Sequence, residues 1–157
     1  MANNYRAILD DIAAKLASVP GIGSIHKYER QVVDQAKFIL LFKDSTGRIC
    51  GWEITRRAAS EHQHGAFYRH HQMVLKGYMG LQDAAETSIL FQELCDEVCG
   101  LFRIADPTTP GATWNYKNGD EPTAAPAQLE SINDRMFGAV LCHCAEIAVS
   151  VTERIMP

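Results

Sequence analysis

The stretch that most constrains this chain is its C-terminal run FGAVLCHCAEIAVSVTERI, from Phe137 to Ile155. In its second half Ala145, Ile147, Val149 and Val151 alternate with Glu146, Ala148, Ser150 and Thr152. A period of two puts one set on a buried face and the other on an open face of a strand; a helix would spread both sets round its axis. The first half, with Val140, Leu141, Cys142 and Cys144, is apolar or small on both faces and should lie deeper in a sheet. The expectation is a long terminal strand against which earlier strands pair.

The preceding segments supply partners for it. Tyr5, Ile8, Ile12, Leu16 and Val19 follow Asn3 or Asn4 at helical spacing, and Pro20-Gly21 ends that helix. Ile22 to Val33 reads as a polar edge strand, since neither face is apolar. Lys37 to Arg57 reads as a hairpin: FILLF, a turn at Asp44-Ser45-Thr46-Gly47, then RICGWEITRR with Cys50, Trp52 and Ile54 on one face. Ala58 to Gly65 is expected to be a polar connection, and Phe67 to Met79 a third strand, with Gly77 and Gly80 marking a bulge or bend. Asp83-Ala84-Ala85-Glu86 fits a capping box ahead of a second amphipathic helix through Leu90, Phe91, Leu94, Val98, Leu101 and Phe102. Residues 105–127 hold four prolines and only two large side chains, Trp114 and Tyr116, which suggests a long Pro/Gly-rich arm. Leu129 and Ile132 would suit a helical turn over residues 128–135. The expected architecture is one α+β domain over residues 1–157, an antiparallel or mixed sheet with two amphipathic helices packed on one face.

Composition narrows the function classes. The formal charge of −4 argues against nonspecific binding to duplex DNA by charge alone. No run of about 18 apolar residues and no leader pattern is visible, so neither a membrane helix nor secretion is expected. Five cysteines, Cys50, Cys95, Cys99, Cys142 and Cys144, are an odd number placed inside apolar segments. That favours reduced thiols in a cytoplasmic protein over a disulfide framework.

Each candidate for chemistry has a plainer reading beside it. His62, His64, His70 and His71 are close in sequence, yet neighbours on a strand point to opposite faces, so His70 and His71 cannot easily share one ion. Cys95 and Cys99, one helical turn apart, could join Cys142 and Cys144 around zinc, although neither pair has the C-x2-C spacing of a zinc knuckle and buried free cysteine is common. His143 diverges from both flanking cysteines and would not activate either thiol directly. Gly21-Ile22-Gly23 follows a helix instead of a strand and reads as a turn, not a phosphate loop. A metal-dependent or thiol enzyme built on the Cys/His set therefore stands as the alternative; no carboxylate pair, nucleophile elbow or lysine base supports it. No metal or cofactor is expected. Trp114 and Tyr116 are either partner anchors or rings of a loop folded back on its own domain.

Several patches together resemble the tail-terminator, or tail-completion, minor tail proteins of tailed bacteriophages. They are an opening helix closing at PGIGSIHKYER, FILLF with GWEITRR, KGYMGLQDAAETS running into FQELCDEV, and FGAVLCHCAEIAVSVTERI. The resemblance implies an α+β subunit of a phage or prophage that forms a homo-oligomeric ring, typically a hexamer, on the assembled tail tube. It implies contacts with tail-tube protein and the head-tail connector, genome DNA passing through the lumen unbound, and no turnover or cofactor. Its place would be the virion tail, and the host cytoplasm during assembly. Interface work is expected of Arg56, Arg57, His62 and His64 beyond the hairpin, and of Trp114 and Tyr116 in the arm.

Overall fold

The computed structural model describes residues 4–30, 34–103, 106–114, 125–137 and 139–155. The chain forms α1 (Tyr5–Ala17), β1 (Ser24–His26), α2 (Gln35–Phe42), β2 (Cys50–His64), β3 (Ala66–Gly80), α3 (Thr87–Gly100), β4 (Ala112–Thr113), β5 (Ala127–Phe137) and β6 (Val140–Ile155). The architecture is α+β, with six strands in one curled mixed sheet. Strand order is β1-β2-β3-β6, with β4 and β5 sharing the far side of β6. Only the β1–β2 pair is parallel; the others are antiparallel.

The terminal strand is the centre of the sheet. Strand β6 pairs with β3 from Cys142 to Ile155 on one side, and with β5 and β4 on the other. Ala145, Ile147, Val149 and Val151 enter the main core with Trp52, Ile54, Met73 and Leu75. Helices α1 and α3 cover that face through Ile8, Ile12 and Leu16, and through Phe91, Cys95 and Val98. Phe137 departs from the expected single strand: it ends β5 and pairs with Val140 across a tight hairpin. Residues 128–135 are accordingly strand instead of helical turn. Leu129 and Ile132 lie on one face because a register shift between Leu129 and Ser131 adds a residue between them, which gives strand residues a helix-like spacing.

FILLF belongs to a helix, where a hairpin strand was expected. The Asp34 carboxylate accepts the Lys37 N–H at 2.8 Å and caps α2. Phe38 and Phe42, four apart, then share a buried face while Leu40 stands 77% exposed. A short apolar run fits strand or helix equally, and here the cap decides. Helix α2 covers the second face of the sheet, where Phe38 and Phe42 meet Tyr78, Phe137, Cys142 and Cys144. The expected turn does form: Asp44 accepts from Thr46 and Arg48, but it joins a helix to β2.

Of the segment expected to be a polar connection, 58–65, all but Gly65 is the outer half of β2, paired residue by residue with β3 as far as His64–Ala66. Gly65, at φ 72°, turns the chain between them. Apolar alternation is missing there because both faces of this half are wet, while pairing needs only backbone. The register shift lies in β2, between Arg56 and Ala58, and not at Gly77 or Gly80. Gly77 has a packing reason: a Cβ there would stand 2.6 Å from the Trp52 ring. The edge strand expected over residues 22–33 is limited to β1; residues 31–33 lie outside the described residues. The capping box does not form either. Asp83–Ala85 is a 3-10 turn, Glu86 takes a left-handed conformation at φ 54°, and α3 starts at Thr87.

Candidate functional site

The two cysteine pairs lie on opposite sides of the sheet. Cys95 is in the α1/α3 core, and Cys142 and Cys144 are under α2, so a four-thiolate site cannot close. Burial pushes the thiols of Cys95 and Cys142 up to about 12 and those of Cys50 and Cys144 up to about 11. Cys99 is raised too, again chiefly by burial. Thiolate is the form that attacks or ligates, and these environments suppress it near neutral pH. Among the described residues no group of three or more His, Cys, Asp or Glu is placed to hold a metal ion.

Three polar clusters are built into the fold instead. In the first, His71 is fully buried and donates from Nε2 to Glu153 at 3.0 Å, while Arg56 donates to its Nδ1 at 3.4 Å. Arg69 reaches the same Glu153 oxygen and also Glu61. The Tyr5 ring stacks on His71, and the Arg56 guanidinium lies 4.5 Å over that ring. Burial holds the His71 pKa below its ordinary value; Glu153 pulls it up, and Arg56 and Arg69 push it down again. His70, one residue back, is on the other face with His62 and Thr152, as strand alternation requires.

The second cluster is built on His143, which could be expected as a hydrogen-bonded core or interface histidine, but its partners have no sequence signal. His143 Nδ1 lies 2.6 Å from Asp134 Oδ1, and its Nε2 lies 2.9 Å from Thr87 Oγ1. The hydroxyl also accepts the Gln82 N–H at 2.9 Å. With Nδ1 donating to Asp134, Nε2 can accept from the Thr87 hydroxyl, which also lies 3.2 Å from the Gln82 carbonyl; the order of groups is that of hydroxyl–imidazole–carboxylate catalytic relays. Thr87 is 1% exposed, however, and Phe91 stacks along the imidazole, so no substrate carbonyl can approach the hydroxyl. The arrangement therefore fastens the start of α3 to β5 and β6. Only Asp134 opens to solvent, with its side chain 53% exposed. Asp134 and His143 face each other across the β5–β6 hairpin, whereas Thr87 comes from a distant segment whose approach nothing in the spacing announces.

The third cluster anchors the start of the expected arm. Asp11 on α1 accepts from the Thr108 and Thr109 hydroxyls and, at 3.0 Å, from the Thr109 N–H. Burial alone would raise its pKa, but these donors hold it below the ordinary carboxylate value. Trp114 follows and is 2% exposed, edge-on to Phe102 at 5.0 Å with the Lys15 ammonium 5.8 Å from its ring centre. Of its two readings, the one in which the loop folds back on its own domain matches this packing. Tyr116 lies outside the described residues.

The other expected interface residues are brought together on the outer half of β2, where all nine residues from Arg56 to His64 are exposed. Their arginines are not free charges. Arg57 bridges to Glu130 at 2.8 Å and to Glu146 at 3.2 Å across the concave face, and Arg56 is held by Tyr5 and His71. His62 stacks between Tyr68 and His70, and His64 closes the strand at the turn. Next to the Arg57 bridge is an open cleft of about 230 Å³, lined by Lys76, Tyr78, Arg135, Cys144 and Glu146 among others, with Lys76 paired to Glu29.

Among the described residues the sheet ends in two open edges. Beyond its three pairs with β1, β2 has no neighbour on its outer side among the described residues, and β5 has none beyond β6. These features define an α+β protein with satisfied interior polar clusters and long exposed strand edges. The chain matches no protein-family model, and no curated protein is significantly similar to it. No helix among the described residues is long and apolar enough to cross a membrane.

Proposed function

We propose that the protein works by assembly: it forms a homo-oligomeric ring, a hexamer on the resemblance to phage tail terminators, that caps a tail tube and meets the head connector. The observation that carries this reading is the outer half of β2, exposed over nine consecutive residues and backed by β3, which is in turn backed by β6. An exposed strand on a rigid support is a template for pairing with another chain. The polar clusters that could have suggested turnover are internally satisfied, and the buried thiols are protonated near neutral pH. With the arginines of β2 committed to internal partners and a formal charge of −4, the surface suits a lumen through which DNA slides. The test is mass photometry of the purified protein, followed by its addition to polymerising tail-tube protein. Discrete multimers and arrested tube growth are expected; a monomer at every concentration with tube length unchanged would reject the reading.

A further inference from the structure

We infer that the seam between copies of this chain is an antiparallel pairing of the outer half of β2 from one copy with β5 of the next, in a head-to-tail arrangement. This rests on the assembly reading and names the surfaces it needs. Strand direction supplies the first argument. Each of β2, β3, β6 and β5 is antiparallel to its neighbour, so the two open edges of one sheet run in opposite directions. A second copy brought alongside without being turned over therefore sets its β2 antiparallel to the first copy's β5. Such a contact uses different surfaces on the two copies and repeats; where its rotation closes, the ring leaves no edge exposed.

Length supplies the second argument. Strand β5 has eleven residues, and the part of β2 beyond β1, Ile54–His64, also has eleven. About ten backbone hydrogen bonds could form along such a pair.

Side chains then fix the register. Both edges carry a one-residue shift, at Arg56/Ala58 and at Leu129/Ser131. When those shifts are allowed for and like faces are kept together, Ile54 falls opposite Met136, Arg56 opposite Asp134 and Ala59 opposite Ile132. Arg56 and Asp134, each already held within its own copy by Tyr5 and His71 or by His143, meet with opposite sign, the small Ala59 meets the larger Ile132, and no like charges face each other. The seam would also cover Ile132 and Met136, which a lone copy leaves 37% and 59% exposed.

A double variant, Ala59→Cys with Ile132→Cys, tests the pairing directly. Mild oxidation should give a ladder of covalent multimers that collapses with reductant, while wild type and each single variant stay unlinked. The native thiols of Cys50, Cys95, Cys142 and Cys144 are buried, and the partly exposed Cys99 is replaced by serine in every variant to give a quiet background. An Ile132→Lys variant, with its fold checked by circular dichroism, should lose the multimers that wild type shows. A covalent dimer from Ala59→Cys alone would mean that like edges pair, which overturns the head-to-tail seam. Multimeric wild type with no ladder from the double variant, or with multimers kept in Ile132→Lys, overturns the seam and leaves the assembly reading standing. A monomeric wild type at all concentrations overturns both.

Discussion

At the scale of single residues, close packing makes small changes visible. The Trp52 ring lies where a Cβ on Gly77 would be, and Trp52 is wholly buried and stacked on Phe91. Gly77→Ala should cost about 1–3 kcal/mol through overpacking. Gly80→Ala, where the new Cβ would find Ile49 at 3.4 Å, should cost clearly less; urea denaturation of the pair checks the difference. The buried imidazole of His71 makes a pH prediction. Its folded pKa lies below the unfolded value of 6.5, so its contribution is fully present above 6.5 and is lost as pH falls from there toward the folded value. Each unit of depression corresponds to about 1.4 kcal/mol. Urea midpoints at pH 7.5 and pH 5 should show this drop, and a His71→Gln variant should show a smaller one over the same interval.

At the scale of elements, the chain shows which kinds of signal sequence carries. The alternation in Ala145, Ile147, Val149 and Val151 gave the central strand because one face meets a core and the other does not. Helices α1 and α3 were legible for the same reason. The outer half of β2 carries no pattern because neither of its faces is buried, and FILLF alone reads as strand because the deciding group, Asp34, stands just outside the apolar run. The Thr87–His143–Asp134 and Asp11–Thr108–Thr109 clusters are products of tertiary approach, with no local pattern to reveal them. The second of these makes the loop before β4 depend on α1. Asp11→Ala should release Thr108 and Thr109 at a cost of about 1–3 kcal/mol. Because Trp114 follows five residues later, its fluorescence should shift to the red in the folded variant; an unchanged spectrum would show that Phe102 and Lys15 hold the ring unaided.

At the scale of the whole molecule, the two faces of the sheet have different tasks. One is closed by α1 and α3, and the other is half covered by α2 and otherwise a concave, wet surface. The residues expected to do interface work, Arg56, Arg57, His62 and His64, gather on one strand, whereas Trp114 lies in the core. The reason is chemical: polar exposed residues on a strand keep their faces, but a large apolar ring in a loop gains more by covering Phe102 than by waiting for a partner.

Arg57 deserves a last consequence. It starts on one margin of the sheet and grips Glu130 on the opposite margin, with Glu146 between them. These bridges tie the two margins of the curled sheet together, and solvent reaches them, the Arg57 side chain being 46% exposed. Salt should weaken them. If copies join margin to margin, the bend of each one sets how many complete a circle. Arg57→Ala, or high ionic strength, should then change the diameter of the closed particle seen by electron microscopy without dissolving it.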